Sequence, residues 1–481
     1  MLKLLSPNKV QMDLYGLFQV SENLVVLEAT VASGLEPLAV SEIKEKVPFI
    51  SQLCRARGRV FFSTYVEHVQ QILMLRSIDH LYLIVSTGKD INLQEKDSAL
   101  SSVEKLIEFP NWNKVIDIWR SVSKFKGKCF PSKEEYLEAS LKETSLKQIV
   151  QDLWKEREVI EVTEKQHVDK ESTVCGGHKF KDKRNELKQS IMRKIDRKSM
   201  YRNSDQRLEE DKVLKFRMTC YRSGNHCVTS QEVACSLGGK LQEKFNWIVD
   251  LVNHDLEVVT NIREDLVYLG ISLTPDSLHR RNIINFGPTT LRATVCYNLL
   301  RLASPNPGDI ILDPLCGGGS IPVEGAMALP GCYNMAGDIH PMAISRAFEN
   351  IQNMRCERKG YIDLSHWDVT NLPLRNACVD IIVTDLPFGK RSGSKQNNQN
   401  LYQKAMLEIG RCIVPSGRAV CLTWDRANLT RTIRAYGSLW SIVRIATINL
   451  GGLQATAYVL KRGLESLDTI LEKLQKRKRR K

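Results

Sequence analysis

From residue 287 to about 462 short apolar runs alternate with helical stretches, and ILD, YNMAGD, IIVTD, AVCLTW, IATIN and AYVL mark the strands. Strands separated by helices pair in parallel through crossover connections, so the pattern predicts a doubly wound α/β sheet. In such a sheet ligands bind beyond the carboxyl ends of the strands, near the point where the strand order reverses. The residues that close strands are therefore the ones to read for chemistry.

The first strand end lies in DIILDPLCGGGSIPVEGA, where Asp313 closes the strand, Gly317 to Gly319 form a close-approach turn and Pro322 can start a helix. The third glycine of a dinucleotide fingerprint would fall at Pro322, and the Lys-Ser/Thr ending of a phosphate-binding loop is missing. Asp313 would also repel a pyrophosphate, which favours a ligand with hydroxyls and a cationic centre. YNMAGD ends on Asp338, at the spacing where an acid grips ribose hydroxyls. Asp368, in SHWDVTNLPL, is expected to close the next strand and to accept a hydrogen bond from an adenine amino group. Any one of these aspartates serves equally well as a helix N-cap. Three in register with strand ends point to a ligand.

The fourth strand runs VDIIVTDLPFGK and stops on Asp385, Pro387 and Phe388. Alone, Asp-Leu-Pro-Phe reads as a β-turn with a buried ring. Beside the preceding acids it reads as a site for an exocyclic amine, with Asp385 and the carbonyl beside Pro387 accepting its hydrogens and Phe388 stacking on its base. Such stacking is worth roughly 1–3 kcal/mol, comparable to the few kcal/mol that unpairing a base costs. The electrophile that fits is the sulfonium methyl of S-adenosylmethionine, with adenine for Asp368, ribose for Asp338 and the positive sulfur and amino group near Asp313. No metal is expected. Thirteen cysteines occur without a CxxC pair, and Cys175-Gly-Gly-His178 stands alone in a charged stretch and reads as a loop.

Upstream, residues 21–90 follow a ferredoxin-like order of strands and helices after an extension at 1–20. Residues 91–211 read as a charged, partly disordered linker or insertion in which Trp112 and Trp119 are expected to dock. A second compact α/β module occupies 212–282, the catalytic α/β domain 283–463 and a basic tail 464–481. The net charge of +14 is concentrated in KLQKRKRRK at the end and in 179–202, and each stretch suits a phosphate backbone, a solvated linker or a nuclear-import signal. Arg280 and Arg281, in HRRN, suit phosphates or an interdomain salt bridge equally, and Lys390 and Arg391 flank the base pocket. His279 and His340 take no catalytic role. No apolar run approaches a membrane span and the amino terminus is too weak for a secretory signal, so the cytoplasm is expected, with the nucleus as second compartment.

VLKFRMTCYRSG, TPDSLHRRNIINFGPTTLR, DPLCGGGSIPVEGA, WDVTNLPLR, VDIIVTDLPFGKR and GGLQATAYVL together make the chain resemble the class I methyltransferases that modify exocyclic amines. Within them it is similar to the THUMP-containing tRNA guanosine-N2 methyltransferases. The resemblance covers nearly all of 213–461 and, more loosely, 23–86. It implies a Rossmann-like class I methyltransferase domain preceded by ferredoxin-like and THUMP modules, acting on N2 of the sixth nucleotide of the tRNA acceptor stem. It further implies a small zinc-binding methyltransferase-activator subunit as partner. By motif, Asp313, Gly317, Gly319, Asp338 and Asp368 would contact S-adenosylmethionine, while Asp385, Pro387 and Phe388 would address guanine. Leu386 departs from the first proline of the wider pattern. The rivals are an N6-adenine or glutamine methyltransferase, which share the Asp-x-Pro-Phe logic, a non-catalytic RNA-binding protein and, remotely, an oxidoreductase. The second module and the basic stretches favour a structured RNA.

Overall fold

The computed structural model describes residues 23–88, 91, 93–142, 209–263, 266–354, 360–387 and 395–479. They form two compact units, one of Met1–Ile84 with Ser272–Lys481 and one of Val85–Ile271.

The first unit opens with β1 (Leu24–Thr30), α1 (Glu36–Lys46), β2 (Gln52–Ala56), β3 (Arg59–Tyr65), a single-turn α2 (Val69–Ile72) and β4 (His80–Gly88), whose last residues pass into the second unit. Helix α1 starts where a proline sits in its first turn and where the buried Glu36 accepts Gly34 N at 2.9 Å and Gly58 N at 2.7 Å. Strand β1 lies between β3 and β4 and antiparallel to both, with Leu27 facing Phe62 on one side and Leu83 on the other. This is the ferredoxin-like order expected from the sequence. The extra strand β2 escaped that reading because QLCRA offers one buried residue, Cys54, and no alternation to recognise.

The chain re-enters the first unit after residue 271 and runs through α6 (Ala293–Ala303), β9 (Ile310–Asp313), α7 (Ser320–Ala328), β10 (Tyr333–Asp338), α8 (Pro341–Gln352) and β11 (Ile362–His366). It continues with β12 (Val379–Asp385), α9 (Lys395–Cys412), β13 (Ile413–Thr423), α10 (Arg426–Ala435), β14 (Trp440–Leu450), β15 (Leu453–Arg462) and α11 (Leu467–Arg479). The seven strands order as β11-β10-β9-β12-β13-β15-β14. The first five are parallel, and β15 runs antiparallel to β13 and β14. Val379, Ile381, Ile382 and Val383 are buried because β12 has strands on either side and helices on the faces, which is why it reads as a continuous apolar run. The order reverses between β9 and β12, so Asp313 and Asp385 close neighbouring strands at the switch point.

Polar contacts tie the amino-terminal module to this sheet. Thr294 Oγ1 donates to Asp79 at 2.5 Å, Asn449 N to Ser33 O at 2.9 Å, and Arg301 pairs with Glu45. Glu324 on α7 is buried and receives Arg76 Nη1 at 2.7 Å, Arg281 Nη2 at 3.1 Å and Asn282 Nδ2 at 3.1 Å.

In the second unit β5 (Lys215–Ser223), α5 (Ser230–Phe245), the short β6 (Ile248–Val249), β7 (Leu256–Arg263) and β8 (Leu266–Ser272) arrange their strands as β8-β7-β5-β6. Thr229 and Glu232 form a reciprocal capping box at the start of α5. The charged stretch from 91 that reads as linker contributes α3 (Lys96–Glu104) and α4 (Trp112–Ser123) to this unit. Trp112 and Trp119 are buried as expected, Trp112 against Phe245 and Trp247. The signal lost in the local charge was the stripe of Val115, Ile116 and Ile118, all buried in α4. Residues 143–208, with most of the expected insertion and Cys175 and His178, lie outside the described residues.

Candidate active site

Strands β10, β9 and β12 present their terminal aspartates at one edge of the sheet. Asp313 is buried and its Oδ1 accepts Thr384 Oγ1 at 2.8 Å and Leu315 N at 3.2 Å. Burial and, secondarily, the charge of Asp338 push its carboxyl up to about 7, against the opposing pull of those two hydrogen bonds. Asp338 is also buried, and its two oxygens accept Gly317 N at 3.0 Å and His340 N at 2.9 Å. A carboxylate has about four acceptor positions, so two hydroxyl donors can still be taken. The bond to Gly317 also sets the glycine turn against β10.

That turn explains its own composition. Gly317 has φ +54° and Gly319 φ +82°, left-handed values that glycine adopts without steric cost. A Cβ on Gly317 would meet nothing within 4 Å and would project into the open cradle, whereas one on Gly319 would come within 3.2 Å of Ala347 Cβ. Gly319 then caps α7. The cradle has room for a ligand beside backbone, and its acids supply hydroxyl acceptors and negative charge. This donor set suits the ribose and the sulfonium of S-adenosylmethionine and does not suit a pyrophosphate. Trp367 walls this end of the sheet, its Nε1 donating to Pro314 O at 3.2 Å.

Asp368 behaves differently. Strand β11 ends at His366, two residues earlier than its expected close, and Asp368 is exposed, accepting Thr370 N at 2.8 Å in a turn. It lies beyond the edge strand, and no hydrogen bond links it to the other three acids among the described residues.

Asp385 at the end of β12 is half-buried, and its Oδ1 is shut off from solvent with no hydrogen-bond partner among the described residues. Burial, and then the Asp313 charge, hold its carboxyl well above the usual carboxylate range. The loop that follows is anchored from below. Tyr402 of α9, fully buried, donates its hydroxyl to Pro387 O at 2.9 Å and shares a 2.9 Å hydrogen bond with Thr423 at the end of β13. Leu386 N donates to Leu422 O at 2.9 Å, so the residue that replaces a proline is tied by the amide a proline would lack. Tyr402, Thr384 and Thr423 escaped the sequence reading; Thr384 adjoins Asp385, but only the fold brings Tyr402 under Pro387. Phe388, Lys390 and Arg391 lie outside the described residues.

Of the arginines at the entry to the catalytic domain, Arg280 is exposed. Arg281 points inward, with Nη1 on Leu75 O at 3.1 Å, Nη2 also on Arg76 O, and its pair with Glu324. The salt-bridge alternative is thus the one seen for Arg281, because a buried carboxylate outcompetes water for a guanidinium already half-buried.

Residues 280–456 match the family model of the RMKL-like methyltransferase domain, and residues 192–272 that of the THUMP domain. The mouse tRNA (guanine(6)-N(2))-methyltransferase THUMP3 is 37% identical over 471 residues, covering 93% of this chain and 90% of the mouse protein. The human THUMP3 is 39% identical over 460 residues, covering 92% and 89% respectively. The chain belongs to the THUMP3 methyltransferase family. Like the other members it is an S-adenosylmethionine-dependent methyltransferase with a THUMP domain ahead of a Rossmann-like catalytic domain. The crystal structure of TrmN from Thermus thermophilus superposes with a TM-score of 0.62 at 21% identity, covering 91% of this chain and 99% of that one, and shows the same fold.

Proposed function

We propose that this chain transfers a methyl group from S-adenosylmethionine to the exocyclic N2 of a guanosine, the sixth nucleotide of the tRNA acceptor stem. The observation that carries the reading is the buried, unpartnered Oδ1 of Asp385. A buried acceptor left without a donor costs on the order of 1–3 kcal/mol. An arriving amine repays that by donating to it, and in doing so turns its lone pair away from the carboxylate. The curated relatives, guanine-N2 methyltransferases by name, favour guanine as the base that brings this amine.

The bound cofactor supplies the electrophilic methyl. The protein's part is to bind and orient, since no covalent nucleophile is needed for an in-line displacement. Asp338 has acceptor capacity left for ribose hydroxyls, Gly317 leaves room at the backbone, Gly319 lets the turn pack on Ala347, Asp313 lends negative charge, and Asp368 is assigned to an adenine amino group. Tyr402 fixes Pro387, and Phe388, the next residue in sequence, is assigned to stack on the guanine. Lys390, Arg391 and the exposed Arg280 are assigned to the RNA backbone, and the THUMP domain to holding the tRNA. N2 takes the methyl as its bond to sulfur breaks, and the Asp385 carboxylate supports the positive charge that passes to nitrogen, without reorganisation, and can accept the proton that N2 then sheds.

The zinc-binding activator subunit belongs to the same proposal. Strand β11 pairs with β10 alone among the described residues, leaving an open sheet edge with Tyr361 at its start 79% exposed, a surface that a partner's strand can extend. We assign the enzyme to the cytoplasm, with the nucleus as second compartment. The test is to incubate the purified protein, with and without the activator, with labelled S-adenosylmethionine and unmodified tRNA, and to identify the product nucleoside by mass spectrometry. N2-methylguanosine at the sixth position is expected. N6-methyladenosine, or label recovered in protein glutamine, would replace the reading with one of its rivals.

A further inference from the structure

We propose that the outward face of α10 is a phosphate track, on which Arg426, Arg431 and Arg434 hold the sugar-phosphate backbone of the RNA beyond the reacting nucleotide. This rests on the reading of the substrate as RNA and adds where the catalytic domain grips it.

The three guanidinium groups, with Ala427 and Thr430, line an open depression of about 550 Å³ that has no acidic side chain in its wall. Each arginine is exposed, and among the described residues their only side-chain hydrogen bond is from Arg431 to Asn428 Oδ1 at 3.3 Å. In the same unit Arg76 and Arg281 pair with Glu324, Arg301 with Glu45 and Arg411 with Glu408, whereas these three form no ion pair among the described residues. The carboxylate beside this face, Asp425, is committed to capping the helix, accepting Asn428 N at 3.0 Å and Asn428 Nδ2 at 2.8 Å. Like charges three residues apart on a helix destabilise it, so Arg431 and Arg434 together are unfavourable unless an anion is brought to them.

The position of the helix says which anion. Helix α10 begins three residues after β13 ends, and β13 pairs with β12 so that Leu422 lies opposite Asp385. The first turn of α10 therefore stands at the same end of the sheet as the acceptor site. Thr430 is held there by a 2.8 Å hydrogen bond to Tyr458. At 1.5 Å per residue the arginines extend about 12 Å along the helix away from that rim, far enough to follow more than one phosphate of a strand. Guanidinium forks match phosphate oxygens in pairs. A polyanion whose reacting base enters at Asp385 and whose backbone continues over α10 meets all of these conditions.

The test compares the full-length protein with a triple variant, Arg426→Gln, Arg431→Gln and Arg434→Gln, and with the corresponding triple lysine variant. Binding of unmodified tRNA is measured by filter retention between about 50 and 200 mM salt. For the glutamine variant the slope of log K against log salt should fall by about 2 to 3, and affinity near 100 mM by about tenfold or more. The lysine variant should restore most of the slope, while S-adenosylmethionine affinity and the unfolding midpoint stay unchanged in both. An unchanged slope and affinity in the glutamine variant overturns the proposal, even if capture of an acidic protein is lost. Because binding is read without methyl transfer, a wild-type chain that binds tRNA but leaves guanosine unmethylated refutes the proposed reaction and not the track. A wild-type chain with no salt-dependent tRNA binding refutes the track.

Discussion

Replacing Asp385 by alanine should lower the turnover number by about 10²- to 10³-fold, the range seen when one preorganised polar contact to a developing charge is removed, with affinity for S-adenosylmethionine changed only a few-fold. The effect belongs on turnover because the unpartnered Oδ1 meets the amine and not the cofactor. Asp385→Asn keeps one carbonyl acceptor and should retain clearly more activity than the alanine variant. Single-turnover kinetics with cofactor titrations separate the two, and an alanine variant within about fivefold of wild-type turnover, well short of that range, would remove Asp385 from the proposed role. Its pH dependence has a defined sign. Asp385 is held well above the usual carboxylate range, so it ionises late, and transfer that uses its carboxylate form should fall as pH is lowered. Stability runs the other way. Asp313, pushed up to about 7 in the folded chain, ionises near the ordinary value of 3.8 in the unfolded one, so between about pH 4 and 7 the folded state binds the extra proton and loses stability as pH rises.

Glu324→Ala should be the most damaging change away from the pocket. It leaves Arg76 and Arg281, with side chains 19% and 18% exposed, without the carboxylate they share. Breaking such a pair by removing one partner costs about 3–5 kcal/mol, read as a shift of the urea unfolding midpoint at constant slope. A loss under about 1 kcal/mol, the range of an exposed pair, would show the cluster to be solvent-screened. The same geometry gives Arg281 variants a stability defect before any tRNA-binding defect.

The strand ends were legible because two independent signals coincide there: a buried strand must be apolar throughout, and an aspartate that ends such a run stands out. Asp313, Asp338 and Asp385 were found that way. Asp368 was misjudged by two residues in strand position because IDLSH, on the sheet edge, has no buried run to delimit it. What stayed hidden depends on pairings distant in sequence. Tyr402 lies 15 residues from Pro387, and Arg76 lies 248 residues from Glu324, so neither partner could be read from local pattern. Helix α4 was obscured for the opposite reason, since charged neighbours mask an apolar stripe that becomes evident only when Trp112 is seen against Trp247.

The proposed transfer needs an amine presented to Asp385, and a tRNA carrying inosine in place of guanosine at the sixth position removes that amine alone. Methyl incorporation into this tRNA and into its guanosine counterpart, at matched binding, is the decisive comparison. Full incorporation into guanosine and none at the inosine is expected, with both tRNAs bound equally well. Methylation of the inosine tRNA at the same site would contradict it.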